Sequence, residues 1–291
     1  MTPILPAKPY RGRLAPSPTG YLHAGHGRTF WIAGQRAAEA GGALIMRMDD
    51  LDRDRVRPEY EVAALEDLRW LGLSWTEGSD IGGDLGPYRQ SERLAVYREA
   101  FERLRTGGWV YPCVCSRKDI ASSLAAPHAG DEEPIYPGTC RRIWERSEPL
   151  SLEGRRHVWR FKIPASTRVD FVDLAQGPQS FQAEVDFGDF VVWRHDGLPA
   201  YQLACVVDDA LMQITEVVRG ADLLASTARQ ILLYQALHWQ VPAFYHCPLM
   251  TDASGVRLAK RNDALSLRTL RSRGVSPQKL IAEWAQANDS H

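Results

Sequence analysis

The stretch PSPTGYLHAGHGRT (16–29) constrains this chain more than any other. Two prolines and Gly20 force a turn, and His23 and His26 then stand three apart around Ala24 and Gly25, just where a helix begins. Imidazoles at a helix N-terminus add hydrogen-bond donors to the free backbone N–H groups and to the positive end of the helix dipole. Gly25 lets the backbone come close to a purine. The combination suits charge on a transferring or departing phosphate. An isolated HxxH would be a turn with two surface histidines; the fourteen-residue string is far more specific.

Residues 1–20 are extended and Pro-rich. The helix that follows runs over about 27–40 and stops at Gly41-Gly42. ALIMRM (43–48) is a short apolar run between a Gly pair and an acidic cluster, so it reads as a buried strand. Pro58 opens a helix over about 58–71. A further helix spans about 91–106, with Ser91 as its N-cap and Leu94, Tyr97, Phe101 and Leu104 on one face. This order predicts an α/β domain with a parallel sheet over 1–108. Over 109–187 cysteines, prolines and glycines appear and HVWRFKI (157–163) alternates, which predicts an inserted, partly β module. The α/β pattern resumes over 188–250, with strands FVVWR (190–194) and ITEVVRG (214–220) and a helix of about 226–238 capped by Ser226 or Thr227. The stretch 251–291 reads as a Gly-containing loop and helical segments, the last signalled by Ser276-Pro277 and carrying Leu280, Ile281 and Trp284 on its apolar face.

The 35 basic and 36 acidic residues leave a formal charge of −1, which excludes blanket attraction to nucleic acid but not a local basic face. One such face is available at 257–273, with six Arg/Lys against one acid. No stretch approaches the ~18 apolar residues of a membrane span, and MTPILPAKPYRGR has no apolar core of a secretory signal. Five unevenly spread cysteines do not make a disulfide framework. A cytoplasmic protein is expected, and nothing demands more than a monomer. Cys113 and Cys115, one residue apart, and Cys140, 25 positions on, could meet around Zn²⁺ if the intervening loop folds back; the alternative is a metal-free module with buried thiols. Cys205 and Cys247 read as core residues.

Four segments together carry a resemblance. RLAPSPTGYLHAGHGRT (13–29) is similar to the first signature of the class I glutamyl-type aminoacyl-tRNA synthetases. RMDDLDRDR (47–55) resembles the acidic strand end that follows it, and 198–237 resembles the strand–helix–strand block of the same catalytic domain. RLAKR (257–261) sits where the family has its lysine-bearing second signature, with Arg257 and Ala259 departing from the pattern and Lys260 keeping it. The resemblance implies a Rossmann-like catalytic domain split by an insertion.

It also implies roles. His23, His26 and Lys260 would be catalytic and, with Gly25, would bind ATP. Arg13 and Arg219 would grip the glutamate carboxylates, arginine being suited to bidentate pairing. Leu14, Ala15, Pro16, Ser17 and Tyr201 match positions lining the amino-acid pocket. Asp49 stands where the family usually has a glutamate that pairs with the substrate ammonium. The plain alternatives are ion pairing for the arginines and a core tyrosine for Tyr201. Mg²⁺ is expected with ATP. The family's short members bind structural zinc through a set matching Cys113, Cys115, Tyr136 and Cys140, with His128 a candidate in place of Tyr136.

The chain stops 30 residues after Arg261, where longer family members continue into an anticodon-reading domain. It therefore resembles the short, glutamyl-Q type, which activates L-glutamate and transfers it to the queuosine base at the wobble position of tRNA(Asp), presenting the anticodon loop to the active site. The competing expectations are a compact synthetase charging the tRNA 3′ end, a small nucleotidyltransferase with an HxGH-type loop, and a non-catalytic RNA-binding relative.

Overall fold

The computed structural model describes residues 9–116, 119–120, 135–146, 152, 154–250 and 266–288. β1 (Arg11–Leu14) is followed by α1 (Ala24–Glu39) and β2 (Ala43–Met46), and the two strands pair in parallel, Arg13 opposite Ile45. A Cβ on Gly42 would lie 2.4 Å from the Tyr10 carbonyl oxygen, so only glycine lets β2 start this close to β1. α2 (Pro58–Trp70) has its proline in the first turn, where a missing N–H costs nothing, and leads to β3 (Glu77–Gly78), which extends the sheet in parallel.

α3 spans Leu94–Thr106 and is preceded by a 3₁₀ turn at Gln90–Glu92. Ser91 is not its cap: the Ser91 amide and hydroxyl both donate to Asp50, at 2.7 and 2.5 Å. Tyr97, Phe101 and Leu104 are buried along one face, as the spacing predicts.

β4 (Val110–Cys113), α4 (Thr139–Glu145) and β5 (Val158–Phe161) follow, then the hairpin of β6 (Arg168–Asp173) and β7 (Gly177–Gln182), then β8 (Val191–Trp193). β5 pairs antiparallel with both β4 and β8. FVVWR thus joins the antiparallel sheet, and the parallel pattern returns only at the next strand. α5 (Tyr201–Leu211) leads to β9 (Glu216–Gly220), α6 (Leu224–Ala236) and β10 (Ala243–Cys247), with β9 and β10 parallel. The Thr215 amide donates to the Arg11 carbonyl at 2.9 Å, which places β9 beside β1. α6 starts at Leu224, so Ser226 and Thr227 are not caps but lie inside its first turn, where Thr227 turns its hydroxyl inward.

Alternation along the strands divides the core. Leu44, Met46 and Val218 face one side with Leu14, Ile32, Leu68 and Trp284. Ile45 and Val217 face the other with Tyr97, Phe161, Val206, Ile231 and Phe244. Both faces are covered, as parallel strands require. α7 (Leu267–Ser272) and α8 (Pro277–Asn288) close the first side. Ser276 accepts from the Lys279 amide at 3.2 Å, and Leu280 and Trp284 are buried. A Cβ on Gly27 would lie 3.0 Å from Leu267 and 3.1 Å from Trp284, so these helices pack tightly on α1.

Candidate active site

The C-terminal ends of β1, β2 and β9 open on one locality, the edge where parallel α/β sheets place their ligands. Its anchor is Arg47, which is fully buried. Nε and Nη2 donate to Asp49 at 2.6 and 3.2 Å, and Nη1 donates to Asp209 at 2.6 Å. Asp208, next along α5, accepts from Arg93 at 2.7 Å, Gln90 at 2.8 Å and Tyr97 at 2.8 Å. Arg13 donates to the Val218 carbonyl at 2.9 Å and lies 3.4 Å from Asp209. Arg13, Arg47 and Arg93 thus face Asp49, Asp208 and Asp209: three charges of each sign, all buried except the half-buried Asp49. Burial pushes the Asp49 carboxyl up to about 6 against the pull of Arg47.

Arg219 is different. Its Nη2 donates to Thr227 at 2.7 Å and its Nε to His246 at 3.1 Å, while Nη1 is buried with no hydrogen-bond partner. Among the described residues no carboxylate lies within ion-pair distance of it. It is a buried cation with a free donor, adjacent through Val218 to Arg13, and that is an arrangement for an incoming carboxylate. Tyr201, at the start of α5, is half-exposed and within electrostatic reach of Arg219, Asp49 and Arg13. Leu14 and Pro16 are buried and accept from the Arg47 and Asp49 amides at 2.8 and 3.0 Å, while Ala15 is half-buried and Ser17 exposed.

α1 begins at Ala24, three residues before the expected start, so the two histidines belong to the helix N-terminus itself. His23 is the capping residue, its amide 3.4 Å from His26 Nδ1, and the rings lie 5.9 Å apart. A Cβ on Gly25 would find only Met250 Sδ, at 4.0 Å, so the backbone there is open to a ligand. Lys260, Arg257 and Arg261 lie outside the described residues. The residues flanking that segment come to the turn: Met250 against Gly25, and Leu267, whose amide donates to the Leu22 carbonyl at 2.7 Å.

At the end of β4, Cys113, Cys115 and Cys140 bring their sulfurs within 4.8 Å of one another. The Tyr136 hydroxyl stands 3.4 Å from Cys113 and 3.6 Å from Cys115, and it accepts from the Cys140 amide at 2.8 Å. Zn–S bonds of about 2.3 Å in a tetrahedron imply sulfurs nearly 4 Å apart, so this set fits zinc. The hydrogen bond from the Cys113 thiol pulls Cys140 down to about 6, and its counterpart pushes Cys113 up to about 12. Arg160 lies 4.0 Å over the Tyr136 ring, a further cation beside the phenol. His128 is outside the described residues. Cys205 and Cys247 are buried core residues, as expected.

Sequence reading missed Arg47, Asp208, Asp209, Thr227, Asp173 and His246. One signal was visible: Asp208 and Asp209 are an acidic pair in a helix whose other residues, Gln202 apart, are apolar. Asp173 and His246 carried none.

The family profile described as "tRNA synthetases class I (E and Q), catalytic domain" matches residues 10–286. A protein of Symbiobacterium thermophilum named glutamyl-Q tRNA(Asp) synthetase is 50% identical over 276 residues, 94% of this chain and 85% of that one. One of the same name from Nitratidesulfovibrio vulgaris is 50% identical over 266 residues, 91% of this chain and 82% of that one. The crystal structure of the glutamate-tRNA synthetase of Elizabethkingia anophelis superposes with a TM-score of 0.72 at 30% identity, over 87% of this chain. This chain spans about half that structure's length, 53%. Among the described residues no helix is long and apolar enough to cross a membrane. The fold, the profile match and the two relatives lead to one conclusion: the chain belongs to the class I tRNA synthetases of the glutamyl and glutaminyl type and is a ligase.

Proposed function

We propose that the protein activates L-glutamate with ATP·Mg²⁺ and transfers the glutamyl group to the queuosine base at the wobble position of tRNA(Asp). The observation that carries the reading is Arg219: a buried guanidinium with an unused Nη1, beside Arg13 and in reach of Tyr201, at the ligand-binding edge of the sheet. A dicarboxylic amino acid is a chemical match for two such cations. Asp49, held by Arg47, serves the ammonium. Leu14, Ala15, Pro16 and Ser17 form the neighbouring wall.

In the first step a glutamate α-carboxylate oxygen attacks the α-phosphorus of ATP, the bond to the bridging oxygen breaks, and pyrophosphate leaves. His23, His26 and the N-terminus of α1 hold the phosphates. Lys260 offsets charge that develops on the leaving group. No nucleophile from the chain is needed, since positioning and charge stabilisation suffice. In the second step the queuosine base attacks the glutamyl carbonyl and AMP leaves.

Zinc on Cys113, Cys115, Tyr136 and Cys140 is structural in this reading, because four protein ligands leave no open position. The proposed division is a catalytic domain over 1–108 and 188–250, a zinc module over 109–187, and a lysine loop with helical tail over 251–291, in a cytoplasmic monomer. A cavity of about 480 Å³ lined by Arg155, Arg156, His157, Arg194, Trp159 and Trp193 offers cations and aromatic rings to RNA.

The test is transfer of radiolabelled glutamate to tRNA(Asp) with and without queuosine, each also with the 3′-terminal adenosine removed. Label confined to the queuosine tRNA and indifferent to loss of that adenosine is expected. Label on both tRNAs that disappears with the adenosine assigns the 3′ end instead, and no label on any tRNA removes the ligase reading.

A further inference from the structure

Arg219 is held by a chain of groups that ends in the inserted region. Its Nε donates to His246 Nε2 at 3.1 Å, and its Nη2 donates to Thr227 Oγ1 at 2.7 Å. Thr227 Oγ1 lies 3.0 Å from the same His246 Nε2. On the other side of the ring, His246 Nδ1 lies 2.5 Å from Asp173 Oδ2. Asp173 Oδ1 accepts from the amides of Ala175 at 3.0 Å, Gln176 at 2.8 Å and His246 at 3.2 Å. His246, Asp173 and Thr227 are at most 1% exposed.

The donors decide the tautomer. An arginine Nε can only donate, so Nε2 of His246 must be the bare acceptor. The ring proton is then on Nδ1 and is donated to Asp173. A second proton would set Nε2–H against Nε–H, so the ring is neutral. Burial, followed by the Arg219 charge, pushes its pKa down to about 4, which agrees. A neutral imidazole orients the guanidinium without cancelling its charge. A carboxylate in that place would orient it equally well and consume the charge a substrate needs.

We propose that Asp173 and His246 are positioning residues that set the tautomer and hold Arg219 with Nη1 free for the amino-acid carboxylate. The proposal rests on the glutamate reading above for the identity of the ligand. Asp173 ends the first strand of the β6–β7 hairpin, whose turn is tied to β10 by the Leu174 amide on the Phe244 carbonyl at 2.9 Å and by Gln176 Nε2 on the His246 carbonyl at 2.8 Å. The inserted region thereby reaches the amino-acid pocket.

Asp173→Asn preserves shape but changes the hydrogen-bond logic. With Oδ1 kept by the three backbone amides, the new NH₂ faces Nδ1. The ring must then accept there and carry its proton on Nε2, opposite Arg219. In glutamate-dependent ATP–pyrophosphate exchange, with and without tRNA, we expect KM for glutamate to rise about 10- to 100-fold, the range for losing a hydrogen bond to a charged group. KM for ATP and kcat should stay within about threefold. ¹⁵N-histidine NMR should show His246 moving from the Nδ1–H to the Nε2–H form. His246→Gln, whose amide can accept from Arg219 and donate to Asp173, should keep most of the glutamate affinity, while His246→Leu should lose it.

A glutamate KM within twofold of wild type in both Asp173→Asn and His246→Leu overturns the proposal. So does a wild-type ring protonated on Nε2, or equal losses in kcat and both KM values. If Asp173→Asn does not fold, the Gln-against-Leu comparison at position 246 decides. A wild-type protein silent in exchange would sink the glutamate reading, while the tautomer still judges the hydrogen-bond chain.

Discussion

Replacing Arg47 with methionine tests whether the cluster of Arg13, Arg47, Arg93, Asp49, Asp208 and Asp209 depends on the Arg47 charge. Arg47 donates three hydrogen bonds to Asp49 and Asp209 and is shielded completely from water. At about 1.5–3 kcal/mol for each bond to a charged group, the gross loss is several kcal/mol. Against this, the variant no longer has to bury a guanidinium. Removing one partner of a buried ion pair nets about 3–5 kcal/mol of destabilisation, because the orphaned charge stays behind. We therefore expect Arg47→Met to lose about 3–5 kcal/mol in urea unfolding followed by tryptophan fluorescence at pH 7.5. At pH 5.5 the loss should fall to roughly half, since an orphaned carboxyl takes up a proton and ceases to be a buried charge. The acid sensitivity separates charge from packing, because a cavity costs the same at both pH values. The double variant Arg47→Met/Asp209→Asn should be more stable than Arg47→Met alone, although it differs from wild type at two core positions. A loss below about 1 kcal/mol, a loss independent of pH, or a double variant weaker than the single would each refute the reasoning.

Asp49 has a folded pKa of about 6 against an ordinary 3.8, so its contribution is fully present below pH 4 and is lost as pH rises through about 6. Asp49→Asn escapes that loss, and its stability relative to wild type should rise by on the order of 2–3 kcal/mol from pH 4 to pH 7; parallel stability–pH curves for the two proteins would contradict it. Cys113→Ser should lose bound zinc and lower the unfolding midpoint, with metal content read by mass spectrometry; stoichiometric zinc in the variant would exclude Cys113 as a ligand. Lys260→Ala should slow adenylate formation by ~10²-fold or more with an unchanged circular dichroism spectrum, as for loss of one stabiliser of transition-state charge; a wild-type rate would remove the lysine from the reaction.

Local features were legible where one short stretch encodes one short structure. The apolar strand that begins at Ala43, Pro58 at a first turn and the Ser276 cap stand where their residues imply, and the helix after the turn at 16–22 forms but begins three residues earlier than expected. Cys113, Cys115 and Cys140 gather as their spacing allows, and Tyr136 joins them as only the family resemblance implied, its hydroxyl meeting all three cysteines. Caps were the weak point. Ser91, Ser226 and Thr227 are good capping residues by type, but each found a partner of higher value: Asp50 for Ser91, Gln202 for Ser226, Arg219 for Thr227. A hydroxyl caps a helix only when no tertiary partner competes with the backbone.

What the sequence determined by itself is therefore the turn at 16–22, the α/β order around it and the types of side chain available to a site. Only the tertiary structure decided which of them touch. Arg47 meets Asp209 across 162 positions and Arg93 meets Asp208 across 115, and His246 is turned by Asp173 from 73 positions away. It also sent β8 to the antiparallel sheet although its residues read like those of β9. Helix and strand periodicity is a property of neighbours along the chain. The pairing of buried charges is a property of neighbours in space, set by which strands lie side by side once the two faces of the sheet are covered.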